Sequence, residues 1–400
     1  MKKSIIFIVV YPFNDDYALK YGFDIIRNRG FDIIILNLFH LLFSKEITDK
    51  LHSYQQLDFV QGIEQVMVKD EKDFVSRIKA VTGWKISVLV VFPYIKVLRL
   101  LKEAHLDYIL PFCNSYPPYA RTLKSFAERV SNACKRFFSA PVKMPTTAVL
   151  SRLPYAWTNV DYPKYVVLGS DACPSCIVPA GKSKVIKAHS FDYDRVLRNA
   201  SLSKPSYVPN EDYYVHLECP PWDTHDYTLL NQKAVLKKEE YTAIINPFHD
   251  WLEKSTGKKV IIAAHPKHTQ EENVYGGRPF VVGAEQLVKY SSGVFCHYSG
   301  AMKFAVIYRK PICVTSSRQL SGDRYFQTNL HASARGIGAE INFIDTEDDY
   351  RALANKGIFF YDEHVYAEYE RKYITSSRLQ KRLLWEIVLD EMLREEGISA

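Results

Sequence analysis

The segment Ile5-Ile-Phe-Ile-Val-Val10 contains no polar residue, and Val260-Ile-Ile-Ala-Ala264 repeats that character late in the chain. A strand with one solvated face alternates apolar and polar residues. A strand that is apolar at every position is covered on both faces, as in a parallel sheet layered between helices. The intervening segments supply those helices. Asp16–Arg29 has helical spacing and stops at Gly30, Phe31–Leu38 is a second strand, and Phe59–Val68 carries a weaker strand signal. Asp70–Val81 reads as helix, Ile86–Phe92 as strand, Tyr94–Ala104 as helix and Tyr108–Phe112 as strand. Thr122–Phe138 follows as an amphipathic helix, and Tyr165–Leu168 and Ser183–Ala188 as strands. The alternation restarts at strand Tyr213–Leu217. Helix Lys237–Thr256 ends at Gly257, and Lys259–Ala264 is the next strand. Helix Ala284–Ser291, strand Gly293–Cys296, helix Ser299–Tyr308, strand Pro311–Thr315 and the short strand Ile341–Ile344 complete the series.

The fold class expected is therefore α/β, with two Rossmann-like doubly wound domains facing across a cleft and a C-terminal helix. Four hundred residues suit two cores better than one. Ser201-Leu-Ser-Lys-Pro-Ser-Tyr-Val-Pro-Asn-Glu-Asp212 has linker composition. It sets the domains at 1–205 and 206–365 and leaves 366–400 as a helical segment, interrupted near Ser376-Ser377, that packs across both. Arg378, Lys381 and Arg382 beside Leu383, Leu384, Trp385 and Ile387 offer an alternative, peripheral contact with the inner membrane surface. The acids Glu386, Asp390 and Glu391 oppose it.

Composition removes several classes. The net charge of +7 comes from 52 basic and 45 acidic residues that are interspersed, which suits an anionic small molecule and not nucleic acid. No apolar run reaches the ~18 residues of a membrane span. The first apolar run passes into Tyr11-Pro-Phe-Asn-Asp-Asp16 without a cleavage site, so it reads as a strand and the protein as cytoplasmic. Seven scattered cysteines argue against a disulfide framework, and Cys173-Pro-Ser-Cys176 lacks the second pair of a zinc ribbon. No metal is expected.

In open α/β sheets ligands bind beyond the carboxyl ends of the strands. That edge receives His265-Pro266-Lys267, in which Pro266 ends the strand and Lys267 adds positive charge, and His297-Tyr298-Ser299-Gly300-Ala301, in which Ser299 reads as a helix N-cap. Either motif alone is satisfied by a strand-ending turn or a capped helix. Together, about thirty residues apart, they make an anion site for a phosphate. Asp171, after strand Tyr165–Leu168, and Glu218, after strand Tyr213–Leu217, reach the same kind of edge and are the candidate carboxylates for acid–base or nucleophilic work. His189, Asp192 and Asp194, and His225-Asp226, are further polar clusters for which helix capping or surface pairing suffices.

Val260–Pro266, Gly277-Arg278, the His297–Ala301 segment and Lys310-Pro311-Ile312 occur in the order that resembles bacterial surface-polysaccharide (capsule or O-antigen) glycosyltransferases of GT-B fold. Tyr11-Pro-Phe-Asn14, Gly22-Phe-Asp24 and His189-Ser-Phe-Asp-Tyr-Asp194 resemble them as well. The His-Pro and Ser motifs are similar to those of sialyltransferases that use CMP-activated 2-keto sugar acids. The resemblance implies roles for His265 and Ser299 near the donor phosphate, and the two motifs make Pro266, Lys267, His297, Gly300 and Ala301 the further expected donor-binding residues. It implies a CMP-linked sialic-, pseudaminic-, legionaminic- or Kdo-type sugar, a glycan or lipid-linked glycan acceptor, and no cofactor beyond the donor. Asp171, Glu218 and His265 are the catalytic candidates. Gly300 departs from the family pattern, which has a second hydroxyl there. A nucleotide-sugar epimerase or hydrolase on the same fold, or a non-catalytic nucleotide- or glycan-binding component, are the alternatives.

Overall fold

The computed structural model describes residues 2–50, 59–91, 93–114, 117, 158–172, 181–222, 227, 233–265, 273–375 and 381–397. The expected helix Thr122–Phe138, the Cys173/Cys176 pair, Pro266, Lys267 and His225-Asp226 lie outside these residues. The chain divides into two compact units, one of Met1–Ser115, Leu123–Asp194 and Ser376–Ala400, the other of Tyr116–Thr122 and Arg195–Thr375. Each is an α/β unit of the Rossmann-like kind, as the sequence leads one to expect.

In the first unit the strands are β1 Lys3–Val9, β2 Asp32–Asn37, β3 Gln65–Met67, β4 Trp84–Leu89, β5 Tyr108–Phe112, β6 Tyr165–Leu168 and β7 Lys184–Lys187. They form one sheet in the order β3-β2-β1-β4-β5-β6-β7, parallel at every junction. Successive side chains of a strand leave on opposite faces. Ile5, Phe7 and Val9 accordingly enter one core with Phe23 and Ile26, while Ile6 and Ile8 enter another with Phe74, Ile78 and Leu101. All five β1 residues from Ile5 to Val9 have zero exposure. This two-sided burial is why the sequence shows no alternation there.

The single helix expected over Asp16–Arg29 is two, Asp15–Lys20 and Phe23–Asn28, joined through Gly22 at φ +65°. A Cβ on Gly22 would sit 2.4 Å from Cγ of Trp385, so the close approach of that indole and the left-handed backbone both require glycine. Gly22→Ala is expected to destabilise the first unit by about 2–4 kcal/mol. Gly30→Ala, at φ +75° with open space around it, should lose only the backbone part, about 1 kcal/mol. Equal losses in urea unfolding would refute the steric argument.

The tryptophan belongs to helix Leu384–Glu396, which the first unit takes as part of its core through Leu384, Trp385, Val388, Leu389 and Met392. The helix is tied at both ends. Asp194 accepts from the Leu384 amide at 2.6 Å and His189 donates to the Arg382 carbonyl at 2.8 Å. At the far end Glu396 accepts from the Tyr165 hydroxyl at 2.6 Å. The segment expected as one unit over 366–400 thus divides, because its two apolar faces fit different cores. Helix Glu363–Tyr373 stays with the second unit, where buried Tyr366 donates to the Lys310 carbonyl at 2.9 Å.

The unit boundary also differs from the expected 205/206. It falls after Asp194, inside helix Phe191–Arg198, and the linker-like stretch already packs on the second unit. Asn199 donates to Glu285 at 2.9 Å, Val208 is buried, and the Lys204 ammonium lies over the Tyr290 ring. Its Pro and Ser content marks irregular backbone, not a break between cores.

The second unit repeats the topology of the first. Its strands are β8 Tyr213–Leu217, β9 Lys259–Ala263, β10 Phe280–Val281, β11 Gly293–Cys296, β12 Ile312–Ser316 and β13 Ile341–Phe343, in the order β10-β9-β8-β11-β12-β13, all parallel. β10, only two residues long, has no sequence signal. Helix Lys238–Thr256 covers one face with Phe248 and His249 against Phe295, and ends at Gly257, φ +71°. Among the described residues no helix is long and apolar enough to cross a membrane.

Candidate functional site

In the second unit the chain leaves β8 toward β9 on one side, while β11 pairs with β8 on the other. The strand order reverses at that junction, and a doubly wound sheet opens its ligand crevice there, beyond the carboxyl ends. Glu218 and Cys219 follow β8, Ala264 and His265 follow β9, and His297–Ala301 follow β11. Five residues expected at a donor site, His265, His297, Ser299, Gly300 and Ala301, therefore share one sheet edge with the catalytic candidate Glu218. Asp171 belongs to the first unit, exposed in the turn after β6.

Glu218 is only 3% exposed and faces inward. One carboxylate oxygen accepts from the His265 amide at 2.7 Å and the other from the Tyr275 hydroxyl at 3.0 Å, while its own amide donates to the Ala263 carbonyl. Tyr275 was invisible in the sequence, although it precedes the Gly277-Arg278 pair by two residues. It sits in a turn that Asn273 closes by accepting from the Tyr275 amide and donating to the Arg278 carbonyl. Gly276 and Gly277 supply the left-handed backbone, φ +65° and +75°. Arg278, nearly buried, anchors that turn to helix Lys238–Thr256 through Asp250 at 2.5 Å and Glu253 at 2.7 Å.

His297 is 1% exposed, and both ring nitrogens are engaged inside the protein. Nδ1 lies 2.7 Å from the Thr315 carbonyl, which makes it the protonated nitrogen, and Nε2 accepts from the Tyr241 hydroxyl at 2.7 Å. This ring ties β11 to β12 and to the covering helix from beneath the site. Ser299 does not cap a helix beginning at its own position. The helix is Met302–Ile307, and Ser299 closes the preceding turn by accepting from the Ala301 amide at 3.3 Å. Lys303 in the next turn is wholly buried. Just after β12, Arg318 is committed to Asp345 and Asp349.

Behind His297 lie two more buried histidines. The His216 ring stacks on Phe295 at 4.9 Å and meets His249 edge-on at 5.1 Å, and neither imidazole nitrogen of either ring has a hydrogen-bond partner among the described residues. Burial pulls the His297 pKa from 6.5 down to about 4. It also pulls those of His216 and His249 well below the ordinary value, with His297 adding to the first and His216 to the second. The unfolded chain binds protons near pH 6.5 that the folded rings refuse. Stability is then complete above about pH 6.5 and falls as pH drops toward 4, with His297 alone accounting for on the order of 3 kcal/mol. Thermal unfolding from pH 7 to 4.5 should show that decline. His216→Phe, which keeps the stack on Phe295, should flatten it, and an unchanged slope would count against this origin.

In the first unit, Asp194 and His189 serve helix Leu384–Glu396, as described above. Asp194, 1% exposed, is thus in structural use. Among the described residues no group of three or more His, Cys, Asp or Glu is arranged to hold a metal ion.

Neither a protein-family model nor a curated protein sequence matches the chain. Its likeness is to solved structures. A histidine-to-asparagine variant of the wall teichoic acid polymerase TagF soaked with CDPG aligns with a TM-score of 0.57 at 11% identity, over 98% of this chain and 90% of that one. The calicheamicin glycosyltransferase CalG4 aligns over the whole of both chains at 0.53 and 12% identity. S. aureus MnaA, in a co-structure with UDP, aligns over 100% of this chain and 98% of that one at 0.52 and 10% identity. At such identities the likeness establishes the GT-B fold that these proteins share with the chain.

Proposed function

We propose that this chain is a glycosyltransferase that takes a nucleotide-sugar donor at the β8/β11 edge of its second unit. The observation that carries the reading is the convergence of three strand-end loops at the topological switch point, with the His265 loop fastened by a buried carboxylate. On this reading His265, with Pro266 and Lys267 after it, counters the charge that develops on the departing nucleotide phosphate, and the Ser299–Ala301 turn closes round it. His297 supports that turn from below. The donor class we favour is a CMP-linked 2-keto acid sugar, from the similarity of the His-Pro and Ser motifs to those of sialyltransferases. The first unit takes a glycan or lipid-linked glycan acceptor, and Asp171 is the carboxylate proposed there. This chemistry needs no metal ion, since imidazole and ammonium groups provide the positive potential.

The fold likeness to a putative UDP-N-acetylglucosamine 2-epimerase from Listeria monocytogenes, with a TM-score of 0.52 at 9% identity over 100% of this chain and 99% of that one, favours a second reading, turnover of a nucleotide sugar without an acceptor. One experiment separates the two. The protein is incubated with CMP-, UDP- and GDP-sugars, with and without oligosaccharide acceptors. Nucleotide release that requires an acceptor is expected for transfer. Interconversion of the sugar without acceptor would replace transfer by epimerisation, and stabilisation by UDP but not CMP in thermal unfolding would overturn the donor class.

A further inference from the structure

We propose that Glu218 and Tyr275 form a brace that positions His265, and that Glu218 does not itself transfer a proton. This rests on the donor site proposed above. The brace is a continuous run of contacts from the covering helix to the site. Asp250 and Glu253 of helix Lys238–Thr256 hold Arg278, and Arg278 donates to the Tyr275 carbonyl at 3.3 Å. The Tyr275 hydroxyl donates to one Glu218 oxygen, and the other accepts from the His265 amide.

Tyr275 has zero exposure and is wedged edge-on against His216, at 5.4 Å, and stacked with Phe280. Its hydroxyl therefore has little freedom to leave the carboxylate. A general base must present a lone pair to a substrate hydroxyl within hydrogen-bond reach. Glu218 is buried, and each of its oxygens already accepts from a donor that the fold holds in place. The carboxylate fixes where the chain turns after β9, and so where the His265 imidazole stands. An ångström of error in such placement can lower turnover about a hundredfold.

Three variants test this. Glu218→Gln retains an oxygen for the His265 amide and gains an N–H to donate to the Tyr275 hydroxyl oxygen. Glu218→Ala removes both bonds, and Tyr275→Phe removes one while keeping the ring that fills the core. Amide hydrogen exchange over Lys259–His265 should quicken about tenfold or more in Glu218→Ala, as for loss of a charge-assisted bond. It should quicken by less in Tyr275→Phe and stay close to the parent in Glu218→Gln. The kcat/KM for the donor should fall in the same order, with Glu218→Gln losing only a few-fold and keeping both limbs of its pH profile.

A Glu218→Gln variant as slow as Glu218→Ala, with the acidic limb gone, would make Glu218 the base and overturn the proposal. So would exchange that does not change in Tyr275→Phe and Glu218→Ala. If Glu218→Ala fails to fold, Tyr275→Phe and Glu218→Gln decide the matter between them. The exchange measurement does not depend on turnover. A parent protein that acts on no nucleotide sugar would end the proposed function while leaving the brace to stand or fall on exchange alone.

Discussion

His265→Ala is expected to lower kcat/KM for the nucleotide-sugar donor by about tenfold to a hundredfold, the usual loss when one preorganised contact to developing charge is removed. The substitution is informative because it leaves the backbone tie of this residue in place. The amide that Glu218 holds at 2.7 Å is still present in alanine, so the backbone at positions 264 and 265 should keep its course. The half-buried imidazole alone is lost. If its contact forms in the transition state, kcat should fall with little change in donor affinity measured by calorimetry. If it binds ground-state phosphate, KM should rise instead. A folded variant with parental kinetics would remove His265 from the site and, with it, the basis for assigning Pro266 and Lys267 to the donor.

The second large effect concerns stability. Trp385→Ala should destabilise the first unit by about 3–5 kcal/mol. The indole is 1% exposed, lies 6.1 Å from the Phe7 ring centroid, and fills the space that the missing side chain of Gly22 leaves open. Trp385→Phe should cost less than half as much, because most of the packing survives and a buried indole N–H without a partner among the described residues disappears. Denaturant unfolding followed separately for each unit should show the loss in the first alone. An equal shift in both units, or a loss under about 1 kcal/mol, would show that the helix is not core to the first unit.

Much of this fold was legible because burial on two faces leaves a local trace. Ile5–Val9 and Val260–Ala263 are apolar at every position, and Tyr108–Phe112, Tyr165–Leu168 and Tyr213–Leu217 have the bounds that their sequence suggests. Contacts made at long sequence separation were not legible. Gly22 breaks a helix because of a residue at position 385, and no window around Asp16–Arg29 contains that information. The same holds at the candidate site. Strand ends pointed to Glu218, His265 and Ser299, yet the inward turn of Glu218 depends on Tyr275, fifty-seven positions away. Ser299 looks like an N-cap, but its hydroxyl serves the Ala301 amide in a turn that enters the helix only at Met302. His297 reads as a ligand from its place after β11, and only the positions of Tyr241 and Thr315 reveal that both its nitrogens are already used.

The capture of helix Leu384–Glu396 by the first unit bears on how the chain folds as it is made. Synthesis proceeds from the N-terminus and domains tend to fold as they emerge. The first unit cannot obey that order, because Trp385 and Met392 reach its core only after every strand of the second unit has left the ribosome. The later-made unit has all its strands before the earlier one has this helix. Until then Phe7 and Phe23 stand without their indole partner, so the early half of the chain passes through a period of exposed apolar surface in which a holdase chaperone would find it.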